Sequence, residues 1–296
     1  MRRARLNFAI FSIAAIGAGW AGLALDRASG ETASNEVAFS NSDGTLGQLI
    51  FILGPAVAGL ALYFLSRDGA GPLGLTLRFP HRTRWFAFSA AFYPVATVIV
   101  VAAALIAGAA TFSWAPDPGQ PTFLAAFLTV FAVQLIKNPL EEFAFRGYGT
   151  RTATALGLPG RVTPHLLVGA VWAAWHLPLY LMWTSEADMR LVTSLSMPLF
   201  LPLMFAGLMA AAVLYGEMRI RTGSIWPGVL MHSVCNAVVT PLLIGGHLSF
   251  EGHAGVVFSP VASAVLMTVL TAAAGLFLVS RRGRTTATRT DMALSG

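Results

Sequence analysis

The sequence predicts an all-α, polytopic membrane protein with about eight transmembrane helices. Hydrophobic residues make up 56% of the 296-residue chain and charged residues only 11%, whereas soluble domains contain about 25% charged residues. The apolar residues are also gathered into runs of about 20, the length that a helix needs to cross a bilayer. We therefore expect residues 1–296 to form a single transmembrane domain.

Eight apolar segments are long enough to span a membrane. Short loops rich in Pro and Gly, such as 116–119, separate them. The first segment follows a basic start, as a signal peptide would, but its apolar run of about 19 residues exceeds the roughly 7–15 residues of a signal core. We expect a retained helix there, with a cleaved signal as the alternative. The predicted spans are 7–25, 46–65, 86–110, 122–149, 164–183, 195–215, 225–245 and 257–280.

Arginine placement predicts the orientation. With the N-terminus in the cytoplasm, 15 of the 18 arginines fall in cytoplasmic segments, Arg146 lies within the fourth span, and only Arg27 and Arg190 fall outside. Because basic residues are retained in the cytoplasm, we expect both termini there, with 281–296 as a short cytoplasmic tail. The cytoplasmic arginines are Arg2, Arg3, Arg5, Arg67, Arg78, Arg82, Arg84, Arg151, Arg161, Arg219, Arg221, Arg281, Arg282, Arg284 and Arg289. The acids of the outer loops are Asp26, Glu31, Glu36, Asp43, Asp117, Glu186, Asp188 and Glu251.

Charge and cysteine content exclude several classes of protein. The net charge of +6 comes from arginines that orient the helices, so we expect no nucleic-acid partner. The single cysteine, Cys235, excludes an internal disulfide framework and a Cys-rich metal site. The preference for Arg over Lys, with much Ala and Gly, is typical of a GC-rich bacterial genome. We therefore expect a multi-pass protein of a bacterial inner or plasma membrane, surrounded by membrane lipids.

Four polar residues on three spans share one depth. At about 1.5 Å per residue, Glu141 lies roughly 12 Å from the inner end of its span, and His176 roughly 18 Å. His232 and Asn236 lie roughly 10 and 16 Å deep. Taken singly, each side chain is explained by interhelical hydrogen bonding. Together they predict a polar pocket with a cytoplasmic mouth, because ionisable residues are costly in a bilayer and usually mark a functional site.

The two adjacent acids of the fourth span have different expected roles. Glu142 and Arg146 are four residues apart, so they share a helix face and are expected to pair as a structural support. Glu141 points about 100° away and has no evident partner along its own helix, which favours a functional role. We expect Trp172 and Trp175 to serve packing.

A proline immediately precedes these acids. Pro139 is expected to break the helix, with Asn138 capping the renewed helix, so that water reaches Glu141. Lys137 is expected to pair nearby or to extend toward the membrane surface.

Three motifs carry a family resemblance. Glu141-Glu142-x-x-x-Arg146, Trp172-x-x-x-His176 and His232-x-x-x-Asn236 resemble, in order and setting, the motifs of the CAAX prenyl protease and bacteriocin-processing family, also called the abortive-infection family. The resemblance covers about residues 122–245, a family-like catalytic core, and eight spans suit the family's fold. Trp172 stands where the family commonly has Phe.

The resemblance implies an intramembrane endopeptidase that acts near the cytoplasmic face on a peptide or protein, in the type members a prenylated CAAX protein. Bacterial relatives are linked to bacteriocin maturation or immunity. Glu141 would be the general base, and His176 would hold and polarise the water. His232 and Asn236 would donate hydrogen bonds to the oxyanion. Glu142 and Arg146 would fix the helix.

A metal-assisted mechanism is the alternative chemistry. Glu141, His176 and His232 have the donor types of a zinc site with water in the fourth position. The resemblance favours chemistry without a cofactor, and Asn236 suits an oxyanion donor better than a zinc ligand.

Two other functions remain open. A secondary transporter also places charges within the membrane, but the chain shows no inverted repeat and its polar layer is off-centre. A non-catalytic bacteriocin immunity or scaffold protein would have no need to keep all four polar residues.

Overall fold

The computed structural model describes residues 2–31, 44–66, 71–77, 79 and 82–282. Within these ranges, seven helices are long and apolar enough to cross a membrane, which confirms the polytopic all-α prediction. The eighth expected span, 257–280, is instead a short helix and a separate 17-residue apolar helix. The helices are α1 (Arg2–Ser29), α2 (Leu46–Ser66), α3 (Thr83–Ile106), α4 (Phe123–Glu142), α5 (Arg151–Thr154), α6 (Thr163–Pro178), α7 (Glu186–Val192), α8 (Met197–Thr222), α9 (Trp226–Leu243), α10 (Ala254–Phe258) and α11 (Val265–Arg281).

Helix α9 forms the centre of the bundle. In its apolar stretch 72% of the residues are buried, against 17% in the span that contains α4. It packs against α3, α4 and α8, while α6 and α11 pack on α8, and α1 packs on α2 and α6. Polar residues on α9 therefore reach a protein interior and not lipid.

The chain continues through Pro139 without the expected break. Helix α4 includes Pro139 and then widens into a π-helix, Phe143–Thr150, before α5. Asn138 does not cap a new helix; its Nδ2 donates to Ser233 Oγ on α9 at 3.2 Å. Proline removes one backbone donor and crowds the preceding turn, and a wider turn accommodates this without ending the helix. A second π-helix, Leu179–Trp183, follows Pro178 in the same way.

The described loops gather at two opposite ends. The arginine-rich end contains residues 71–77, 155–162, 219–225 and 282, where Arg219 donates to the carbonyl of Pro72 at 2.7 Å and Arg282 to that of Arg161 at 3.2 Å. The acidic end contains 26–31, 44–45, 107–122, 184–196 and 244–264. There strands β1 (Ala110–Phe112) and β2 (Leu248–Phe250) pair antiparallel. Successive loops thus alternate between the arginine-rich and the acidic end, in the predicted order. Which end faces the cytoplasm stays a prediction.

Several sequence predictions fall outside the described residues. These are the greater part of the tail, 283–296, and the loop charges Glu36, Asp43, Arg67, Arg78, Arg284 and Arg289.

Candidate active site

The four polar residues predicted to form a pocket do line one cavity. It has a volume of about 270 Å³, and Glu141, His176, His232 and Asn236 contribute to its wall from α4, α6 and α9. Residues from α2, α3, α7, α8, the second π-helix and the loop 261–263 complete the lining. The convergence expected from shared depth is therefore present in the structure.

Glu141 has a partner on its own helix, contrary to the sequence interpretation. Its side chain is 2% exposed, and Oε1 lies 3.2 Å from Lys137 Nζ, one turn earlier in α4. Its Oε2 accepts a hydrogen bond from Trp172 Nε1 at 3.2 Å. The four-residue spacing brings Lys137 onto the same helix face. Trp172, which we expected only to pack, thus holds the carboxylate directly.

The imidazole of His176 is fixed by the backbone of its own helix. Its Nδ1 lies 2.8 Å from the carbonyl oxygen of Trp172. A carbonyl only accepts, so Nδ1 carries the proton and Nε2 of the neutral ring is an acceptor. Trp175 packs edge-on at 4.6 Å between ring centroids. His176 is therefore oriented to accept a hydrogen bond.

Glu142 orients the second histidine. Oε1 of this buried carboxylate lies 3.1 Å from His232 Nδ1, and Oε2 lies 3.3 Å from Arg146 Nε. The second contact is an ion pair whose geometry is not that of a hydrogen bond. Gly228 permits the approach, because a Cβ there would lie 2.9 Å from Glu142 Oε2. The expected pair with Arg146 is present, and Glu142 also reaches the cavity through His232.

Arg146 packs behind one wall of the cavity. Its guanidinium carbon lies 3.9 Å from the ring centre of Trp172 and 4.9 Å from that of Tyr215, and its side chain is 1% exposed. Such stacking on two rings suits a buried guanidinium. Trp172 and Tyr215 form the cavity wall on this side, with Arg146 behind them.

The cavity lining extends toward the acidic end, and the expected cytoplasmic mouth stays a prediction. From the layer of Glu141 the cavity lining continues to Gln48, Trp183 and Ser263 near the acidic end, whereas none of the described residues of the arginine-rich end lines it. With cytoplasmic arginines, the cavity extends away from the cytoplasm.

Asn236 is held by a residue that sequence reasoning missed. Its Nδ2 donates to Gln134 Oε1 on α4 at 3.1 Å, and Gln134 also lines the cavity. Gln134 precedes Glu141 by seven residues, two helical turns, so heptad spacing was the available signal. The second amide hydrogen of Asn236 is available for another acceptor.

The residues present do not group as a metal site. In the part of the chain that the structure describes, no three His, Cys, Asp or Glu side chains are close enough together to hold a metal ion. Both oxygens of Glu141 already contact donors, one of them the ammonium of Lys137. We therefore derive no catalytic step through zinc.

A comparison with protein families covers the segment that contains the cavity residues. A protein-family model described as Type II CAAX prenyl endopeptidase Rce1-like matches residues 120–238, about two fifths of the chain. All four cavity residues and both supporting residues lie within the match. No curated protein matches the chain. Over residues 120–238 the chain is therefore similar to this family of membrane proteases, which supports the resemblance to the CAAX prenyl protease and bacteriocin-processing family.

Proposed function

We propose that this protein is an intramembrane endopeptidase that hydrolyses a peptide bond with water activated by Glu141. One observation carries the proposal: Glu141, His176, His232 and Asn236, from three helices, line one cavity within the family-matched segment. A buried carboxylate beside two oriented imidazoles is the arrangement that general base catalysis requires.

The first step is attack of water on the scissile carbonyl. Glu141 accepts a proton from water while the oxygen bonds to the carbonyl carbon, and the carbonyl oxygen becomes an oxyanion. His176 assists by accepting the other water proton in a hydrogen bond at Nε2. Trp172 keeps Glu141 in place throughout, through the indole hydrogen bond.

The oxyanion is stabilised by donors on α9. Asn236 offers its second amide hydrogen. His232 donates from Nε2 only when both ring nitrogens are protonated, because Nδ1 already faces Glu142. The carboxylate of Glu142 supplies the charge that stabilises this imidazolium. Collapse of the intermediate breaks the C–N bond, and Glu141 returns its proton to the leaving amine.

The substrate is proposed to be a hydrophobic or lipidated peptide or protein. The cavity wall is largely apolar and aromatic, including Phe51, Tyr180 and Trp183. A CAAX-type substrate, with a prenylated cysteine and three following residues, fits the family. We propose a bacterial plasma membrane as the location, on the composition of the chain.

Cleavage of a defined peptide tests the proposal. The full-length protein in lipid vesicles is incubated with S-farnesyl-Cys-Val-Ile-Met carrying an N-terminal dansyl group, and mass spectrometry detects loss of the last three residues. We expect Glu141→Gln to abolish cleavage. The matched control is Glu186→Gln, which removes a carboxylate from an exposed ion pair outside the cavity. Full cleavage by Glu141→Gln would refute the proposed base.

A further inference from the structure

We propose that Lys137 binds the C-terminal carboxylate of the substrate. This inference rests on the peptidase function proposed above and names a feature that its substrates share. Lys137 is the only lysine of the chain. Among the described residues that line the cavity, it is also the one Lys or Arg.

The shape of the cavity favours the end of a chain over its middle. Trp172 and Tyr215, with Arg146 stacked on them, line the side next to the arginine-rich end, and none of the described residues of that end reaches the cavity. The volume of about 270 Å³ lies at the lower limit of ordinary ligand pockets, which begin near 300 Å³. A short terminal segment fits such a space more readily than a chain that must pass through it.

A carboxylate at this depth requires a cationic partner. An unpaired anion within a membrane protein is strongly disfavoured, and Glu141 would repel it further. Lys137 is the cation next to Glu141, at 3.2 Å, so a substrate carboxylate bound to Lys137 lies close to the catalytic base. The scissile bond is thereby placed a short distance from the chain end.

Lys137 is free to change partners, whereas Glu141 is not. The lysine side chain is 32% exposed and has a flexible four-carbon stem, but the glutamate is 2% exposed. If Lys137 turns toward a substrate, Glu141 keeps the hydrogen bond from Trp172. Neither group is left unpaired by the exchange.

The exchange also balances charge during catalysis. When Glu141 accepts the proton from water it becomes neutral, and Lys137 loses its resting counter-charge. The substrate carboxylate, already bound to Lys137, then supplies that counter-charge. A substrate without the carboxylate would leave the ammonium next to a neutral Glu141 with no counter-charge, which is unfavourable inside the protein.

Binding measurements separate this inference from the peptidase function. Dansyl-labelled S-farnesyl-Cys-Val-Ile-Met is prepared as the free acid, as the C-terminal amide, and as an amide in which Glu replaces the last Met. Fluorescence anisotropy measures Kd on full-length Glu141→Gln, which does not cleave. The comparison protein is the double variant Glu141→Gln with Lys137→Gln. It lacks both charges and so leaves neither one buried alone.

We expect Glu141→Gln to bind the free acid about tenfold or more tightly than the amide, the gain of a charge-assisted hydrogen bond. The double variant should lose this preference, and Lys137→Arg in place of Lys137→Gln should restore it. Arg190→Gln, which removes a cation from the exposed pair with Glu186, is the matched control and should change nothing.

The proposal would be overturned by equal affinity for acid and amide in Glu141→Gln, by a preference that survives Lys137→Gln, or by no binding of any peptide. Equal affinity for the free acid and the Glu-containing amide would assign Lys137 to an acidic side chain and overturn the C-terminal assignment. A different outcome is that the preference for the free acid is present but the unaltered protein cleaves no peptide. That result would refute the proposed peptidase function and would still support a carboxylate site at Lys137.

Discussion

Two buried clusters in this molecule contain the same three residue types and differ in what they face. In the first, Glu142 lies 3.1 Å from His232 and 3.3 Å from Arg146. In the second, Glu217 lies 3.0 Å from His165, and both side chains are fully buried. The first cluster contributes His232 to the cavity, whereas none of the second lines it.

The second cluster joins helices at the arginine-rich end. Glu217 on α8 also pairs with Arg221 at 3.6 Å and with Arg282, just beyond α11, at 3.0 Å. Arg221 in turn donates to the carbonyl of Leu278 on α11. In this molecule, then, only one of the two clusters of histidine, glutamate and arginine lies at a cavity. Elsewhere the same groups hold helices together.

The largest expected difference between the clusters is in catalysis. Glu142→Gln keeps the size of the side chain but removes the charge that stabilises protonated His232. We expect kcat for the farnesylated peptide to fall about 10²-fold or more, the usual effect of losing an oxyanion donor. Steady-state kinetics at saturating peptide measures it. Thermal unfolding of the same sample serves as the control for folding, and a kcat within a few-fold of the unaltered protein would return Glu142 to a purely structural role.

The second cluster should show the opposite balance. Glu217→Gln leaves Arg221 and Arg282 without their shared carboxylate, so we expect the free energy of unfolding to fall by about 2 kcal/mol or more. These arginines are 16% and 25% exposed, which keeps the loss below that of a fully buried pair. Denaturant titration in detergent measures the loss.

At a temperature where Glu217→Gln is folded, its kcat should stay close to that of the unaltered protein. A large fall in kcat without a change in stability would show that the second cluster also takes part in the chemistry, and the contrast between the clusters would fail.

A smaller effect is expected from the glycine beside Glu142. In Gly228→Ala the new Cβ would lie 2.9 Å from Glu142 Oε2, so the carboxylate must shift by a few tenths of an ångström. We expect kcat to fall about tenfold, because small misplacements of catalytic groups are costly. Gly17→Ala is the matched control, since its Cβ meets nothing within 4 Å. Equal kcat values for the two variants would contradict the orienting role of Glu142.

The motif residues were predictable from sequence because depth follows directly from helical rise. Glu141, His176, His232 and Asn236 lie on apolar segments whose ends the loops define, and a rise of about 1.5 Å per residue places them in one layer. The contacts between helices were not predictable in this way. The bond from Trp172 to Glu141 and the bond from Asn236 to Gln134 depend on how α4, α6 and α9 rotate about their axes.

The sequence alone could also not predict the direction in which the cavity extends or the continuation of α4 through Pro139. Pro139 predicts a disturbance, but whether a helix breaks or widens depends on its neighbours, and here Asn138 bonds across to Ser233. Arg146 stacks on Trp172 and Tyr215 at the side where depth alone suggested a mouth. Lys137 stands four residues before Glu141, but the sequence alone left its pairing open because lysine can also extend toward the membrane surface.

The smallest expected effect concerns metals. Each carboxylate oxygen and each Nδ1 of the site already has a protein partner: Glu141 contacts Lys137 and Trp172, and His232 contacts Glu142. A zinc ion would have to displace the ammonium of Lys137 from Glu141, a competition that a built metal site avoids. We therefore expect EDTA and 1,10-phenanthroline to leave peptide cleavage within about twofold of the untreated protein. Loss of cleavage that added zinc restores would contradict this expectation, and Glu141 would then bind a metal ion in place of activating water directly. The first cluster would also take part in metal binding through His232, whereas the second cluster would not.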